Sequence, residues 1–214
     1  DVIKLEEKLI ESKKKNNLPK IVIPVHFAGQ SSEQKKIWML SKKYGFKIIE
    51  DASHSLGAKH RNQKVGNCKW SDIVIFSFHP VKMITTAEGG AALTNKKEIY
   101  LKLKQYSAHG IIRDKSRMKF KQKGAWYYEQ QVLGYNYRLS DLHAALGISQ
   151  LKKLSRYLVR RNEIARYYDS QLDTRLFRLP SVKEYNYSSF HLYVIRIDKN
   201  MFPGKHKKIF NLLR

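Results

Sequence analysis

The chain has 214 residues, a mass of 25.2 kDa and a formal net charge of +24, with 42 lysine and arginine residues against 18 acidic ones. A content of 42% hydrophobic and 12% aromatic residues excludes a disordered basic tail, because such chains lack the apolar surface to offset ordering entropy. The single cysteine, Cys68, excludes an intramolecular disulfide scaffold, and no apolar run approaches the ~18 residues of a membrane-spanning helix. The composition therefore predicts a globular protein of the cytoplasm with no membrane partner.

The first half of the chain predicts alternating helices and strands. A helical apolar stripe at the start is followed by residues 21–27, a short apolar run rich in β-branched side chains. Ser31 and Gln34 match a capping box at the start of a second helix, which Gly45 is placed to end. Residues 46–50 form the next predicted strand. A strand, a helix and a strand within about 30 residues make a βαβ unit, which predicts parallel pairing.

The second half continues the α/β pattern. Residues 73–78 and 89–94 are two predicted strands, and the short segment between them leaves no room for a crossover helix. We therefore expect these two strands to be antiparallel or separated within the sheet. Helical periodicity returns over residues 96–107, and again from Ser140, a predicted N-cap, to about Tyr168. The last helix is apolar on two sides, which predicts two packing partners.

The positive charge does not by itself indicate a nucleic-acid-binding protein. Basic residues are spread along the whole chain, and 30 of the 42 are lysines, whereas proteins that read bases and phosphates favour the planar fork of arginine. A solvated loop or strand face is one interpretation of the only local cluster, and a site for an anionic ligand is the other. We expect no nucleic-acid partner. The cluster has a basic residue at every second position: Arg113, Lys115, Arg117, Lys119, Lys121 and Lys123.

Polar side chains that could take part in catalysis or bind a cofactor follow the predicted strands. Asp51 and His54 follow one strand, while Ser77 and Lys82 come at and just beyond the end of another. Taken singly, Asp51 fits a helix cap, His54 a structural histidine and Lys82 a surface lysine. In open α/β sheets, however, ligands bind at the carboxyl ends of the strands. An aspartate for a protonated pyridine nitrogen, a serine for a phosphate and a lysine for a Schiff base are together what pyridoxal phosphate requires.

Four segments carry a more specific pattern. They are EDASHSLGA at 50–58, SFHPVK at 77–82 followed by TTAEGG at 85–90, WYYE at 126–129, and GYNYRLSD at 134–141. In this order and approximate spacing they resemble the DegT/DnrJ/EryC1/StrS family of pyridoxal-phosphate-dependent sugar aminotransferases. The resemblance covers nearly the whole chain. It implies the large domain of a fold type I transferase, an α/β domain with a mostly parallel sheet flanked by helices.

The resemblance implies a role for each residue of the cofactor site. Lys82 corresponds to the lysine that binds the cofactor covalently and, once freed, acts as the catalytic base. Asp51 keeps the pyridine nitrogen protonated, and His54 lies near the 3′ oxygen of the cofactor. Ser77 binds the phosphate, joined by Asn136 from the second subunit of a homodimer. The sequence shows no metal-ligand spacing beside these residues.

The resemblance also implies substrates. PVHFAGQ at 24–30 together with HPVKMITTAE at 79–88 looks most like the pseudaminic-acid branch of the family. Enzymes of that branch transfer an amino group from L-glutamate to C4 of a UDP-linked 4-keto-6-deoxy N-acetyl amino sugar, and the product serves the glycosylation of flagellin and surface glycans. In relatives, residues equivalent to Arg138 and His191 lie towards the sugar nucleotide. The basic cluster, through Lys119 and Lys121 above all, is a candidate site for the nucleotide diphosphate.

Family members are much longer than this chain, and we therefore expect a fragment that is truncated at both ends. Residues 1–165 would belong to the cofactor-binding large domain, and residues 166–214 would begin the small domain. Alone, the fragment is expected to show little activity. Two other interpretations stay open: a basic non-catalytic protein that binds nucleic acid or an anionic glycan, and an inactive paralogue that keeps the fold.

Overall fold

A mixed sheet of four strands forms the centre of the protein. The computed structural model describes residues 1–120, 124–198 and 201–212. In chain order its strands are β1 (Ile21–Val22), β2 (Lys47–Asp51), β3 (Lys59–His60), β4 (Gln63–Lys64), β5 (Ile73–Ser77), β6 (Gly90–Leu93), β7 (Ile111–Ile112), β8 (Glu129–Gln130), β9 (Phe177–Arg178), β10 (Asn186–Tyr187) and β11 (Arg196–Ile197). The central sheet has the order β1-β2-β5-β6, in which β1, β2 and β5 are parallel and β6 is antiparallel to β5. The predicted α/β architecture and the parallel βαβ unit are therefore confirmed.

Helices flank this sheet, and one apolar cluster joins the first two of them to strand β2. The helices are α1 (Val2–Lys14), α2 (Gln34–Tyr44), α3 (Lys97–Ser107), α4 (Asp141–Leu151), α5 (Leu154–Gln171) and α6 (His206–Leu212). The cluster consists of Leu9, Ile37, Leu40, Tyr44, Phe46 and Ile48, all nearly inaccessible to water. Burial of such side chains contributes about 1.5–3 kcal/mol each. Nowhere in the described ranges is a helix both long and apolar enough to cross a membrane.

The sequence predicted the C-terminal end of α2 correctly but not its N-terminal end. Gly45 ends the helix in the left-handed conformation at φ 80°, as predicted. The predicted capping box at the other end is wrong, because the helix begins after Glu33 and has no side-chain cap. Instead, the amide of Gln34 turns into the core and donates to the carboxyl group of Glu50 at 3.0 Å. Leaving a buried carboxylate without hydrogen-bond donors costs more free energy than losing one helix cap, so Gln34 bonds to Glu50 instead.

The predicted helix from Ser140 to Tyr168 is two helices. Ser140 caps α4 as predicted, its side chain accepting from the backbone N–H of His143. At the junction between α4 and α5, the N–H of Lys153 donates to the carbonyl of Gln150, three residues back, at 3.0 Å. This tighter turn ends one helix and redirects the next. The predicted domain boundary at residues 165 and 166 falls inside α5, and the division into two domains stays a prediction.

Candidate active site

Asp51 and Ser77 end two neighbouring parallel strands, so their side chains lie at the same edge of the sheet. Asp51 is in register with Ile75, two residues before Ser77, which places all three on one face. The chain then turns back over this edge, with the N–H of Lys82 donating to the carbonyl of His79 at 2.9 Å. The hydroxyl of Ser77 accepts from the N–H of His79 at 3.4 Å. The turn thus brings Lys82 to the end of the strand that Ser77 closes.

Asp51 is held as an ionised carboxylate. Its Oδ1 accepts the backbone N–H of Ser53 at 3.0 Å. Partial burial acts to raise the pKa of Asp51, but the side-chain and backbone hydrogen bonds from Ser53 outweigh it and bring that pKa below its ordinary value. A carboxylate of this kind can balance a protonated ring nitrogen.

His54 is oriented by the backbone of a neighbouring loop. The N–H of Ala28 donates to Nδ1 of His54 at 3.3 Å. A ring nitrogen that accepts carries no proton, so the proton of the neutral ring is on Nε2. Burial and the positive charge of Lys82 lower the pKa of His54, against the opposing effect of Asp51. His54 is therefore neutral at pH 7 and has an Nε2–H that can donate to a ligand.

Residues 185–192, named the strap, lie across the loop that orients His54. The N–H of Ser189 donates to the carbonyl of Gly29 at 3.0 Å. The fully buried hydroxyl of Ser189 lies 3.0 Å from the carbonyl oxygen of His54 and 3.3 Å from that of Gly29. These contacts carry His191, two residues further on, to the edge of the sheet that holds Lys82.

Helix α5 holds the strap from the opposite side. The guanidinium of Arg161 donates to the carbonyls of Phe190 and His191 at 3.0 and 3.3 Å. The side-chain amide of Asn162 donates to the carbonyl of Ser188 at 3.1 Å. Hydrogen bonds from a charged donor are among the stronger ones in proteins. The strap is therefore fixed between α5 and the sheet edge.

The strap places the ring of His191 against that of His54, with 4.5 Å between ring centroids and an interplanar angle of 47°. Among the described residues, the buried Nδ1 of His191 has no hydrogen-bond partner. Burial lowers the pKa of His191 to about 4, and the nearby positive charges of Lys82 and Arg161 assist. His191 is therefore a neutral ring at pH 7, and its Nδ1 is closed off from solvent.

The contact between loop and strap is made by residues in strained backbone conformations. Ala28 and Phe190 both have positive φ, 59° and 44°, which side chains other than glycine rarely adopt. Gly29 has φ 102°, and a Cβ there would lie 2.7 Å from the backbone N of Phe190 and from Oγ of Ser189. Strained residues of this kind cluster at functional sites. Only glycine permits so close an approach of the two backbones.

The remaining predicted site residues of the described ranges, Asn136, Arg138 and Lys119, make their hydrogen bonds away from Asp51 and His54. Asn136 forms a backbone bridge with Ala108, and its Oδ1 accepts from Nε of Arg138 at 3.1 Å. Arg138 lines a cavity together with residues 88–92, which follow the Lys82 turn. The backbone N–H of Lys119 donates to the carboxylate of buried Glu129 at 2.8 Å, while its side chain is exposed. Lys121, predicted beside Lys119, lies outside the described residues.

Three residues that organise the site have roles that the sequence did not predict: His26, Gly29 and Ser189. The segment at 24–30 contains the first two, and it served only to compare branches of the family. Gly29, two residues after the predicted strand 21–27, was the one available sign of a close backbone approach. Ser189 gave no sign, because its partner His54 is 135 residues away in sequence.

The low pKa of His191 predicts a specific pH dependence of stability. An unfolded histidine titrates near 6.5, and His191 in the folded protein near 4. Between these values the unfolded state binds more protons, so the free energy of unfolding falls as the pH drops from 6.5 towards 4. His191→Gln should therefore lose less stability than the parent over this range, measured as urea midpoints at several pH values. The exposed His206→Gln should follow the parent, and equal slopes for parent and His191→Gln would contradict the assignment.

Solved structures of aminotransferases share this fold. Helicobacter pylori PseC, described as an aminotransferase involved in the biosynthesis of pseudoaminic acid, has a TM-score of 0.85 and 35% identity, over 100% of this chain and 53% of its own. The PLP form of the putative sugar aminotransferase Spr1654 from Streptococcus pneumoniae has a TM-score of 0.71 and 27% identity, over 89% of this chain and 52% of its own. The fold is thus that of the fold type I transferases that depend on pyridoxal phosphate, as the sequence predicted.

The whole chain, residues 1–214, matches the DegT/DnrJ/EryC1/StrS aminotransferase family, and the protein belongs to that family. A UDP-4-amino-4,6-dideoxy-N-acetyl-beta-L-altrosamine transaminase from Campylobacter jejuni subsp. jejuni serotype O:2 is 43% identical over 214 residues, covering 100% of this chain and 53% of the relative. A transaminase of the same name from Helicobacter pylori is 36% identical over 207 residues, covering 93% and 49%. The chain spans about half the length of the curated relatives it matches.

Proposed function

We propose that the protein is a nucleotide-sugar aminotransferase that depends on pyridoxal phosphate. It transfers the amino group of L-glutamate to C4 of a UDP-linked 4-keto-6-deoxy N-acetyl amino sugar, in the cytoplasmic synthesis of pseudaminic acid for flagellin and other surface glycans. One observation carries the proposal: Asp51 and Ser77 end neighbouring parallel strands, and Lys82, on the turn after Ser77, is near enough to His54 and His191 for its charge to lower the pKa of both. The names of the relatives support the choice of sugar.

The donor set at this edge fits pyridoxal phosphate. The described residues give the amine of Lys82 no hydrogen bond or ion pair, so it is free to form a covalent bond. Asp51 would balance the protonated pyridine nitrogen, and the Nε2–H of His54 would donate to the 3′ oxygen. Ser77, at the end of β5, would bind the phosphate. When bound, the cofactor supplies an electron sink for the carbon that loses its proton.

The chain's own residues supply the proton transfer and the orientation of the substrate. Lys82 takes the proton from the carbon of L-glutamate that carries the amino group, and later returns a proton to C4 of the sugar. Asp51 keeps its negative charge throughout, because its pKa lies below the ordinary value. We place the ring of His191, which packs against that of His54, on the side of the site that faces the sugar nucleotide.

The test is an amino-transfer assay with the full-length protein. Pyridoxal phosphate, L-glutamate and the UDP-linked 4-keto sugar should give 2-oxoglutarate and a 4-amino sugar in equal amounts, detected by mass spectrometry. A protein that binds the cofactor covalently but forms no amino sugar would contradict the substrate while leaving the cofactor site intact. Failure to bind the cofactor would contradict the whole function.

We place Asn136 in the active site of a second subunit, beside its Ser77 across a homodimer interface, and Arg138 towards the sugar nucleotide. The segment that carries them is rich in exposed apolar side chains, which favours burial against another copy. The most exposed of these are Trp126, Leu133, Tyr137 and Leu142. Sedimentation equilibrium should give a dimer mass for the full-length protein, and a monomer mass would contradict the shared site.

The basic cluster is assigned to the diphosphate of the nucleotide sugar. Neutralising Lys119 and Lys121 together, as Lys119→Gln with Lys121→Gln, should raise KM for the nucleotide sugar about tenfold with kcat nearly unchanged, because each solvent-screened charge contact contributes about 0.2–1 kcal/mol. The matched control is the pair Lys152→Gln and Lys153→Gln, two exposed lysines at the α4–α5 junction. An equal KM for the nucleotide sugar in both double variants would contradict the assignment.

A further inference from the structure

A buried polar cluster directly behind Asp51 takes no part in the proposed chemistry. His26 is 0% exposed and Glu50 2% exposed, and Gln34 and Ser31 are buried beside them. The neighbouring cluster around Ile48 is apolar. Polar groups are costly to bury, and an apolar set of similar volume is often as stable. The cluster therefore calls for a role beyond packing.

The hydrogen bonds of His26 fix the orientation of its ring. The backbone N–H of Ser32 donates to Nδ1 of His26 at 3.0 Å. Since Nδ1 accepts, the ring proton lies on Nε2, which donates to Oε2 of Glu50 at 2.9 Å. Gln34 donates to the same carboxylate oxygen at 3.0 Å. Both ring nitrogens are thus occupied inside the protein.

The bond from Ser32 closes residues 26–32 into a loop that is tied at both ends by one side chain. At its first residue, the N–H of His26 donates to the carbonyl of Asp51 at 2.9 Å. Two residues on, the N–H of Ala28 fixes Nδ1 of His54 at 3.3 Å. The next carbonyl, that of Gly29, accepts from the strap. A single closed loop therefore contacts the backbone of Asp51, the ring of His54 and the strap that carries His191.

We propose that His26 is a positioning residue for the cofactor site. Its Nδ1 closes the 26–32 loop, so that Asp51, His54 and the strap keep one arrangement, while its Nε2–H supplies the buried Glu50 with one of its two donors. The proposal rests on the proposed function for the identity of the cofactor. It does not rest on it for the loop closure, which is a property of the protein without cofactor.

Two substitutions test the two ring nitrogens of His26 one at a time. Asparagine places an amide oxygen near the position of Nδ1, and it can still accept from Ser32. Glutamine places an amide nitrogen near the position of Nε2, and it can still donate to Glu50. We expect His26→Gln to weaken pyridoxal phosphate binding at least about tenfold, the effect of losing one buried hydrogen bond, and His26→Asn to bind within about threefold of the parent. Leu40→Ala, a cavity in the same core, is the control that lowers stability without changing affinity.

Hydrogen exchange of the cofactor-free, full-length protein gives the readout that does not depend on function. Amides of residues 27–32 should exchange faster in His26→Gln and at the parent rate in His26→Asn. Equal affinity and exchange in the two His26 variants, or losses that merely follow stability as in Leu40→Ala, would overturn the proposal. If neither variant folds, the ring ¹⁵N shifts of the parent decide: the Nε2–H tautomer supports the loop closure and the Nδ1–H tautomer refutes it. Parent protein that shows this tautomer and protection but binds no cofactor refutes the proposed function alone.

Discussion

Lys82→Ala is expected to abolish covalent attachment of pyridoxal phosphate and to lower the amino-transfer rate by about 10⁴-fold or more, since the variant lacks both nucleophile and base. Borohydride reduction followed by peptide mapping should find the cofactor on the peptide with Lys82 in the parent and on no peptide in the variant. The amine makes no hydrogen bond or ion pair within the described ranges, so its removal should leave the urea midpoint unchanged.

Two further variants separate charge from chemistry at this position. Lys82→Arg keeps the positive charge that lowers the pKa of His54, but a guanidinium stays protonated and cannot act as nucleophile or base. It should be as inactive as Lys82→Ala. Lys64→Ala, at an exposed lysine of β4, should retain full activity. Cofactor trapped on a lysine other than Lys82 would refute the assignment.

Gly29→Ala is expected to destabilise the protein by about 2–5 kcal/mol, combining left-handed strain with overpacking. At φ 102° the new Cβ would meet the backbone nitrogens of Phe190 and His191 at 2.7 and 2.8 Å. Neither backbone can move without breaking the hydrogen bonds from Arg161. The strap should therefore shift away from His54, with faster hydrogen exchange over residues 189–192 and weaker cofactor binding. Urea denaturation and exchange mass spectrometry measure the two effects.

Gly45→Ala is the matched control for this contact. Gly45 also has positive φ, 80°, but a Cβ there would meet no atom within 4 Å. Its substitution should cost only the left-handed strain, about 1–2 kcal/mol, and leave cofactor binding unchanged. If the two alanine variants lose the same stability and bind the cofactor equally, the close approach of loop and strap does not shape the site.

Much of the fold could be predicted because its determinants are local. Alternation of apolar runs with helical stripes is enough to indicate strands β1 and β2 and the helix between them. Gly45 marks the end of that helix, since glycine readily takes the left-handed conformation there. Ser140 announces the start of α4 for a similar reason, because its hydroxyl can accept from a free N–H. Motifs around Asp51 and Lys82 indicated the family, which the match over the whole chain confirms.

Local patterns gave the wrong prediction at two places. Gln34 fits a capping box by spacing, yet it donates to Glu50 on a different element of the fold. The break between α4 and α5 depends on a turn hydrogen bond at Lys153 that no glycine or proline announces. The partner of Gln34 cannot be predicted from spacing because it lies on another element, whereas the turn at Lys153 is local but contains no residue type that marks it.

By itself the sequence determined the chemical groups of the candidate site and the sheet edge at which Asp51, Ser77 and Lys82 would meet. Strand order and alternation are enough to bring the ends of β2 and β5 together. Only the tertiary structure decided that His191 lies against His54, because α5 and the 26–32 loop hold the strap between them. Only the tertiary structure decided the tautomers of His26 and His54. A tautomer depends on which backbone N–H reaches the ring, and that is fixed by packing between segments far apart in the chain.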